Sequence, residues 1–253
     1  MRALISVTDK KGVEKLALAI TKRGGEVLST GGTAEYLKSH GIKVTDVSAY
    51  TGFPEIMDGR VKTLHPKIHG GLLARRDDKK HMAEAAKNGI EMIDIVVVNL
   101  YPFEKTVAKE GISEPEAIEQ IDIGGPSLIR AASKNFQFVT VVTDPADYEI
   151  VAEAIEKNGD TSFEMRKELA WMAFEMTSHY DRVIADWFRK VLGKPELLEL
   201  HYEKVRSLRY GENPHQKAAF FKNPLNSDAN VTNAKVLHGK ELSYNNIVDA
   251  NSE

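Results

Sequence analysis

The chain has 253 residues, a formal net charge of -3 and 42% hydrophobic residues, and it contains no cysteine. This composition is that of an ordinary globular protein with one large domain, or one domain and a smaller second part. The charge gives no overall basic field, so we expect no nucleic-acid partner, and the lack of cysteine excludes disulfides, thiolate metal sites and a cysteine nucleophile.

The first segment enters directly into a strand-like pattern, without the apolar region and cleavage site of a signal peptide. No apolar run approaches the roughly 18 residues that span a bilayer. We therefore expect a cytoplasmic protein with no membrane partner.

The first part of the chain alternates strand and helix patterns. Strands are predicted at residues 3–7, 26–29 and 43–47, and helical spacing follows the first of them and ends at Gly24. A second helix is predicted with Thr33 as its N-cap and Gly41 as its end. This β-α-β-α-β order predicts a parallel sheet covered by helices.

A basic stretch from about Thr51 to Ala74 follows and shows neither helical nor strand spacing. Its Arg60 and Lys62, with the glycines around them, suit an anionic ligand held by charge and by free backbone N–H groups. A solvated basic loop is the alternative. His65 and His69 are four residues apart, but with no helix predicted there and no matching carboxylate, a metal site is not expected.

The second part of the chain continues the alternation. A polar helix is predicted at residues 77–88, and residues 93–100 form the strongest strand pattern, near-continuously apolar as in a central parallel strand. Ser113 and Glu116 have capping-box spacing, and Pro126 is placed to start the helix that ends near Asn135. Residues 138–142 are the last predicted strand, and Asp144 opens another helix.

The spacing of apolar residues at 161–191 predicts one long helix. One face of this helix is an apolar stripe, which favours a place in the core or in a subunit interface. The stripe consists of Leu169, Met172, Ala173, Met176, Tyr180, Ile184, Trp187 and Val191. The pattern changes after Gly193, and we place a domain boundary near residue 195. The remaining stretch of nearly 60 residues is too short to build a strong core of its own.

Ligands of an open parallel sheet bind outside the carboxyl ends of its strands. The turns at residues 8–10, 30–33 and 99–101 all follow predicted strands, and residues 30–33 offer hydroxyls and backbone donors for a phosphate, although a simple tight turn is an alternative. Four side chains are candidate acids or bases: Lys62, Tyr101, Asp122 and Lys134. Each also has a structural interpretation: a solvated charge, packing, a helix cap and a charge at a helix C-terminus, in that order.

Taken together, these turns resemble one family. Residues 6–10, 29–33, 60–66, 99–103 and 120–125 occur in the order and spacing of the inosine monophosphate (IMP) cyclohydrolase domain of the bifunctional aminoimidazole carboxamide ribotide formyltransferase/IMP cyclohydrolase family. The strings at 60–66 (RVKTLHP) and 120–125 (QIDIGG) are the specific ones. The similarity covers residues 1 to about 195 and continues at 208–216 and 242–249, which resemble the opening of the transformylase domain.

The resemblance implies a methylglyoxal-synthase-like, three-layer αβα fold with a parallel sheet at residues 1–195, including C-terminal helices, and a partial α+β transformylase domain at 196–253. It implies IMP cyclohydrolase activity (cyclic amidine hydrolase class), the dehydrative ring closure of formyl-aminoimidazole carboxamide ribotide, with no cofactor or metal. Formyl-tetrahydrofolate would be the co-substrate of the transformylase, whose Lys-His catalytic pair lies beyond residue 253. We expect that activity to be absent here, and the chain to be truncated or to work with a separate partner. The family is dimeric, so a homodimer is expected.

The resemblance also assigns roles. Lys134 would be the proton donor and acceptor, paired with Asp122, while Lys62 and Tyr101 would polarise or orient the reacting groups. Residues that would hold the nucleotide are Thr8, Asp9, Lys10, Thr30, Gly31, Gly32, Thr33, Arg60, Val61, Lys62, Thr63, Val98, Asn99, Asp122, Ile123, Gly124 and Gly125. The partial transformylase site would contain Arg209, Tyr210, His215 and Asn246. Lys134 lies about nine residues along a helix from Gly125, roughly 13 Å, so only the fold could bring it to Asp122.

Three alternatives remain open at this point. A regulatory nucleotide- or phosphate-binding module of the same fold, like the allosteric domain of carbamoyl phosphate synthetase, would need the turn at residues 30–33 but not the four acid-base candidates together. A methylglyoxal synthase would not be expected to carry the long helix and the tail after it. A purely structural protein would use the 161–191 helix as an assembly surface.

Overall fold

The computed structural model describes residues 1–224 and 228–252. Its strands are β1 Arg2–Val7, β2 Glu26–Ser29, β3 Val44–Asp46, β4 Ile95–Asn99, β5 Thr140–Val142, β6 Glu203–Ser207 and β7 Ala219–Lys222. Its helices are α1 Val13–Lys22, α2 Gly31–Ser39, α3 Val47–Thr51, α4 Pro66–Leu73, α5 Lys79–Lys87, α6 Phe103–Val107, α7 Glu114–Glu119, α8 Gly124–Lys134, α9 Tyr148–Asn158, α10 Phe163–Val191 and α11 Tyr244–Ser252.

Strands β1 to β5 form one parallel sheet in the order β3-β2-β1-β4-β5. The chain moves from β1 towards β3 on one side and then returns to place β4 on the other side of β1. Because parallel crossovers are right-handed, this reversal covers the two faces of the sheet with different helices. The carboxyl ends of β1 and β4 therefore flank the switch point at which such sheets bind ligands.

The core lies between the sheet and its helices. The central strands are apolar and almost fully buried, with Val96 and Val97 of β4 completely inaccessible. Helices α1 and α9 pack together, and α8 packs against α10 and α4. Thus the predicted α/β class with a parallel, helix-covered sheet is confirmed.

Helix α10 follows the predicted stripe in its first half. Leu169, Ala173 and Tyr180 are buried, and Trp187 further along contacts Phe103 edge to face at 5.7 Å between ring centroids. Val191, at the end of the predicted stripe, is instead 43% exposed. The apolar stripe is therefore part of the core from Leu169 to Tyr180, but not at the C-terminal end of α10.

Two local predictions were wrong. Helix α2 is capped by Thr30, not Thr33, because the Thr33 hydroxyl is used inside the fold, where it accepts from the Val7 N–H and donates to the Val7 carbonyl at 3.1 and 3.0 Å. The basic stretch was predicted to be free of regular structure, but its second half forms α4. There Pro66 occupies the first helical position and His65 is the N-cap. Proline is favoured at the first position of a helix, so the helix forms although its apolar residues show little helical spacing.

Other boundaries shift slightly. The predicted helix starting at Pro126 begins two residues earlier at Gly124. The capping box at Ser113 and Glu116 is present as predicted, since the Ser113 hydroxyl accepts from the Glu116 N–H while the Glu116 carboxylate accepts from the Ser113 N–H. The strand predicted at 43–47 ends at Asp46, and Val47 opens α3.

The chain divides into two compact units, Met1–Lys194 and one that begins at Pro195. The second unit contains the antiparallel pair β6 and β7 and the helix α11. Among its described residues, none of the hydrophobic side chains is fully buried, and Leu198 and Leu237 are 84% and 85% exposed. This agrees with the expectation that the tail is too short for a strong core.

Candidate active site at the carboxyl ends of the sheet

A cavity of about 610 Å³ opens at the switch point between β1 and β4. Val7 and Thr8 at the end of β1, and Val98 and Asn99 at the end of β4, form its floor. Many predicted site residues line it: Thr8, Thr30, Arg60, Lys62, Thr63, Val98, Asn99, Asp122, Ile123, Gly124 and Gly125. The parallel topology thus brings together five separate sequence motifs.

Asn99 fixes the floor of the cavity. Its side-chain oxygen accepts from the backbone N–H groups of Thr8 and Asp9 at 2.6 and 3.0 Å, and its amide nitrogen donates to the Asp9 carbonyl at 2.9 Å. The same amide donates to the Tyr148 hydroxyl at 3.1 Å. Burial raises the pKa of Tyr148, so this phenol stays neutral and available as an acceptor. The turn after β1 is therefore held in place by β4.

The end of β2 presents the start of α2 to the cavity. Ser29 is fully buried and donates to the Ile5 carbonyl at 2.6 Å, which fixes the strand just before Thr30 turns the chain into the helix. Gly31 and Gly32 occupy the first helical turn, and both residues are exposed. The positive end of a helix and unhindered N–H groups favour an anion at this position.

Asp122 lies at the start of α8, on the opposite wall. One carboxylate oxygen accepts from the Gly125 N–H at 2.8 Å, and the backbone N–H of Asp122 donates to the Tyr180 hydroxyl at 2.8 Å. A Cβ atom on Gly125 would lie 2.5 Å from the other Asp122 oxygen, so only glycine allows this close approach. Burial raises the pKa of Asp122 above its usual range, while the backbone hydrogen bonds oppose that shift. A carboxylate with a raised pKa in a cleft is a candidate acid or base.

The third wall is a short hairpin at residues 56–61, closed by a bridge between Ile56 and Val61. At its tip Met57, Asp58 and Gly59 all have positive φ angles, of 56°, 52° and 89°. Left-handed backbone costs energy for residues with a side chain, and such strain concentrates at functional sites. This tip was not predicted, because only Gly59 carries the sequence signal for positive φ.

Each of the two predicted cations of the hairpin wall is paired with a glutamate. The Arg60 guanidinium forms a two-point contact with the Glu119 carboxylate at the end of α7, which holds the pKa of Glu119 below its usual range. The Lys62 ammonium lies 2.7 Å from the Glu55 carboxylate. Neither glutamate was predicted as a site residue, because an isolated acidic residue outside a motif gives no signal in a single sequence.

Several predicted site residues lie outside the cavity lining: Asp9, Lys10, Gly31, Gly32, Thr33, Val61, Tyr101 and Lys134. Lys10 is nevertheless close to the α2 start, since a Cβ atom on Gly32 would be 4.0 Å from its Cε. Tyr101 is half-buried two residues after β4. All of them except Lys134 belong to the edge at which the strands end.

Lys134 is in a different place. It is the exposed last residue of α8, whereas Asp122 precedes the first. The 11 residues of α8 span about 15 Å, and the helix leads back to the start of β5 at the opposite edge of the sheet. Within one chain, the fold therefore does not bring Lys134 to Asp122.

The two histidines serve the backbone and the packing of α4. The His65 ring accepts from the Lys67 N–H at 3.1 Å as the helix cap. Burial lowers the pKa of His69, and its Nε2 is buried without a hydrogen-bond partner among the described residues. Neither ring lines the 610 Å³ cavity.

The residues predicted for a second site all lie in the second unit. Arg209 stacks over the Tyr210 ring at 5.8 Å, His215 is exposed, and the Asn246 side chain accepts from the Ser243 hydroxyl at 2.8 Å at the start of α11. A cavity of about 430 Å³ in this unit is lined by other residues. None of these four residues therefore lines that cavity.

Two protein-family models match this chain, and together they cover most of its length. A model of the MGS-like domain matches residues 12–127, and one of the AICARFT/IMPCHase bienzyme matches residues 132–253. The "Bifunctional purine biosynthesis protein PurH" of Bacillus cereus (strain AH187) is 52% identical over 99% of this chain and 50% of its own length. The protein of the same name from Acetivibrio thermocellus is 53% identical over 99% of this chain and 49% of its own length.

A solved structure is also similar. "Crystal structure of ForH" has a TM-score of 0.66 and 35% sequence identity, and the match covers 74% of this chain and 98% of that one. The chain spans about half the length of the curated relatives it matches. In the described part of the chain, no helix is long and apolar enough to cross a membrane. With identity above 50% along nearly its whole length, the chain belongs to the family of the bifunctional purine biosynthesis protein PurH.

Proposed function

We propose that the chain is an IMP cyclohydrolase, which closes the pyrimidine ring of formyl-aminoimidazole carboxamide ribotide to give IMP and water. The observation that carries this proposal is the 610 Å³ cavity, in which a half-buried carboxylate of raised pKa, a lysine and a helix N-terminus converge. Cavities of about 300–1,000 Å³ are typical for small ligands, so a mononucleotide fits the available volume.

The phosphate of the ribotide would bind at the start of α2. The backbone of the exposed Gly31 and Gly32 would provide N–H donors there, and the nearby Lys10 would provide charge. Arg60, on the hairpin, is the second cation within the cavity and would exchange Glu119 for the ligand. The heterocycle would then extend over the floor at Asn99 towards Asp122.

Ring closure needs several proton transfers in one place. The carboxamide nitrogen attacks the formyl carbon and loses a proton, while the formyl oxygen becomes an oxyanion and is protonated to a hydroxyl. The hydroxyl then takes a second proton and leaves as water, as the former formamide nitrogen loses its proton and the C=N bond of the new ring forms. In this proposal Asp122 would accept the proton from the carboxamide nitrogen and Lys62 would stabilise the oxyanion, which is supported by their both lining the cavity. Positioned acid-base groups contribute about 10²–10⁴-fold and a single oxyanion donor about 10²–10³-fold.

Because the reaction is intramolecular, the remaining task is to hold the formamide in an attacking rotamer. The fixed floor made by Asn99 and the wall made by Gly124 and Gly125 suit that task. Tyr101 follows Asn99 and Leu100 directly, and we propose that it orients the reacting groups after a small movement of its side chain. No metal or cofactor is part of this proposed chemistry.

The resemblance also gives Lys134 the role of proton donor and acceptor, and that role stays a proposal. The position of Lys134 at the far end of α8 supports Asp122 and Lys62 more strongly as the pair that acts within one chain. The variant Lys134→Ala separates the two views. Near-normal IMP formation would remove Lys134 from the mechanism, and a loss of about 10²-fold or more would restore it.

Further proposals rest on the family. The residues from Pro195 onward would be the opening of a transformylase domain, and Arg209, Tyr210, His215 and Asn246 would form a partial site for aminoimidazole carboxamide ribotide. Formyl transfer from formyl-tetrahydrofolate would need sequence beyond residue 253, supplied by a longer chain or a separate partner. We also propose a cytoplasmic homodimer, in line with the family.

The direct test is incubation of the purified chain with formyl-aminoimidazole carboxamide ribotide and detection of IMP by chromatography. We expect IMP without added metal or formyl-tetrahydrofolate. Tight nucleotide binding with no IMP would favour a regulatory module instead. The variant Asp122→Asn serves as the matched control, since it keeps the size and the acceptor oxygen of the side chain.

A further inference from the structure

Lys62 lies where two cavities meet. It lines the large cavity, and it also lines a neighbouring cavity of about 200 Å³ that contains Glu55, Asp46 and Ser48. Thr30 is the second residue that borders both spaces. The direction of the Lys62 side chain therefore decides which cavity its ammonium group serves.

The Lys62–Glu55 pair is built into the hairpin. The two charged atoms are 2.7 Å apart, which is a close ion pair. Gly59 lies against both side chains, and a Cβ atom there would collide with Lys62 Cε and lie 2.6 Å from the Glu55 carboxylate oxygen. A left-handed glycine with φ of 89° thus leaves the space that the pair occupies.

The second pair on the hairpin differs in this respect. Arg60 and Glu119 have side chains that are 67% and 52% exposed, whereas Lys62 and Glu55 are 36% and 43% exposed. The Arg60–Glu119 pair crosses to another helix through solvent, and no glycine accommodates it. Of these two pairs, only the Lys62–Glu55 pair lies in a space that a backbone feature, the left-handed Gly59, leaves open.

A lysine ammonium has three N–H donors and no acceptor. Glu55 pairs with the ammonium group on the side of the smaller cavity, and three N–H groups allow the same ammonium to donate to a ligand in the larger cavity. A free lysine side chain has many rotamers, so one fixed partner reduces the entropy that is lost when its ammonium group is held in one direction. Glu55 lines only the smaller cavity and does not reach the proposed position of the substrate.

We propose that Glu55 is a positioning residue that, together with the space left by Gly59, aims the Lys62 ammonium at the oxyanion formed during ring closure. This inference rests on the proposed function. It deepens that proposal by making Lys62 a held donor and assigning Glu55 no direct contact with substrate. A misplacement of about 1 Å in such a group costs on the order of 10²-fold in rate.

The test compares Glu55→Ala, Lys62→Ala and the double variant in IMP formation. We expect Glu55→Ala to lower kcat about 10- to 100-fold with little change in KM, and Glu55→Gln to recover part of the rate because it keeps an acceptor oxygen. In the Lys62→Ala background, Glu55→Ala should have no further effect. Glu156→Ala is the matched control, since Glu156 pairs with Lys22 on the surface at 3.9 Å.

A second readout does not depend on activity. Acylation of lysines by an amine-reactive ester, followed by mass spectrometry, should label Lys62 severalfold faster in Glu55→Ala than in the parent, with Lys38 as the internal reference. Unchanged kcat in Glu55→Ala, or an equal effect of that change with and without Lys62, would overturn the proposal. If the parent makes no IMP, the proposed function fails, and the labelling alone then decides whether Glu55 holds Lys62.

Discussion

Two walls of the same cavity are built in different ways. The strand-end wall (Val7, Thr8 and Asn99) is fixed by short hydrogen bonds between neighbouring strands, and behind it the buried Ser29 and Thr33 hydroxyls bond the backbone of β1. The hairpin wall (residues 56–62) has a strained tip and is held by ion pairs between partly exposed side chains. The strand-end wall fixes the shape of the cavity and contributes to the stability of the fold. The hairpin wall carries cationic side chains that can leave their ion pairs and bind a ligand.

Asp122 should show the largest effect, since it combines burial with a chemical role. We expect Asp122→Asn to reduce IMP formation by about 10²–10⁴-fold in a steady-state assay. The variant should also be more stable than the parent at neutral pH. Burial raises the pKa of Asp122, so the stability contributed by its protonated form is present at low pH and is lost as the pH rises through that raised pKa.

The pH dependence provides the control for this prediction. Thermal unfolding midpoints of parent and Asp122→Asn should converge at low pH and separate as the pH rises. The parent rate should fall on the acid side of an inflection above the usual aspartate range, and the residual rate of the variant should lack that inflection. Equal midpoints at every pH would show that the carboxylate is not destabilised by burial.

Lys62→Ala should separate the hairpin wall from the strand-end wall. We expect a loss of about 10²–10³-fold in kcat, the size of one oxyanion donor, with an unchanged unfolding midpoint because the side chain is partly exposed. Circular dichroism melts and initial rates measure the two quantities. A large drop in the unfolding midpoint would show that Lys62 contributes to the stability of the fold, as the strand-end wall does.

Asn99→Ala should differ from Lys62→Ala in that it lowers the stability of the fold. Its amide bridges the turn after β1 to β4 and Tyr148, so four hydrogen bonds lose their partner at a half-buried position. We expect a loss of roughly 1–3 kcal/mol in unfolding free energy, measured by urea denaturation. Asn99→Asp, which keeps both acceptor bonds, is the matched variant and should lose less. A neutral effect of Asn99→Ala would contradict the role of this wall.

Glu119→Gln should have the smallest effect, and in the opposite direction. Removing the charge that pairs with Arg60 leaves the guanidinium free for a phosphate, so we expect IMP to bind at most a few-fold more tightly in calorimetry. The gain should diminish at high salt, since both side chains are exposed. Weaker binding would show that Glu119 orders Arg60 for the ligand.

The same division explains what the sequence could predict. The strand-end residues Thr8, Thr30 and Asn99 were identified because parallel strands end at one edge, a rule that needs only the order of elements. Glu55 and Glu119 were missed, because long-range ion pairs leave no periodic pattern. The αL conformation of Met57 and Asp58 was missed as well, since neither residue type signals positive φ in this context.

Lys134 illustrates a different limit. The QIDIGG motif and Lys134 follow each other in the sequence as a single unit, but an uninterrupted helix of 11 residues places them at opposite ends of α8. Helical rise alone predicted this separation, and the resemblance alone predicted proximity. The structure supports the physical estimate for one chain, while the catalytic role of Lys134 stays a prediction.

The most direct measurement is a crystal structure of the chain with IMP bound. The phosphate should lie at the N-terminus of α2 beside Gly31 and Gly32, and the purine ring should lie between Lys62 and Asp122 in the 610 Å³ cavity. Lys62 should keep its contact with Glu55, and Arg60 should turn from Glu119 to the ligand. Nucleotide bound elsewhere on the chain, with this cavity empty at saturating IMP, would contradict the proposed active site.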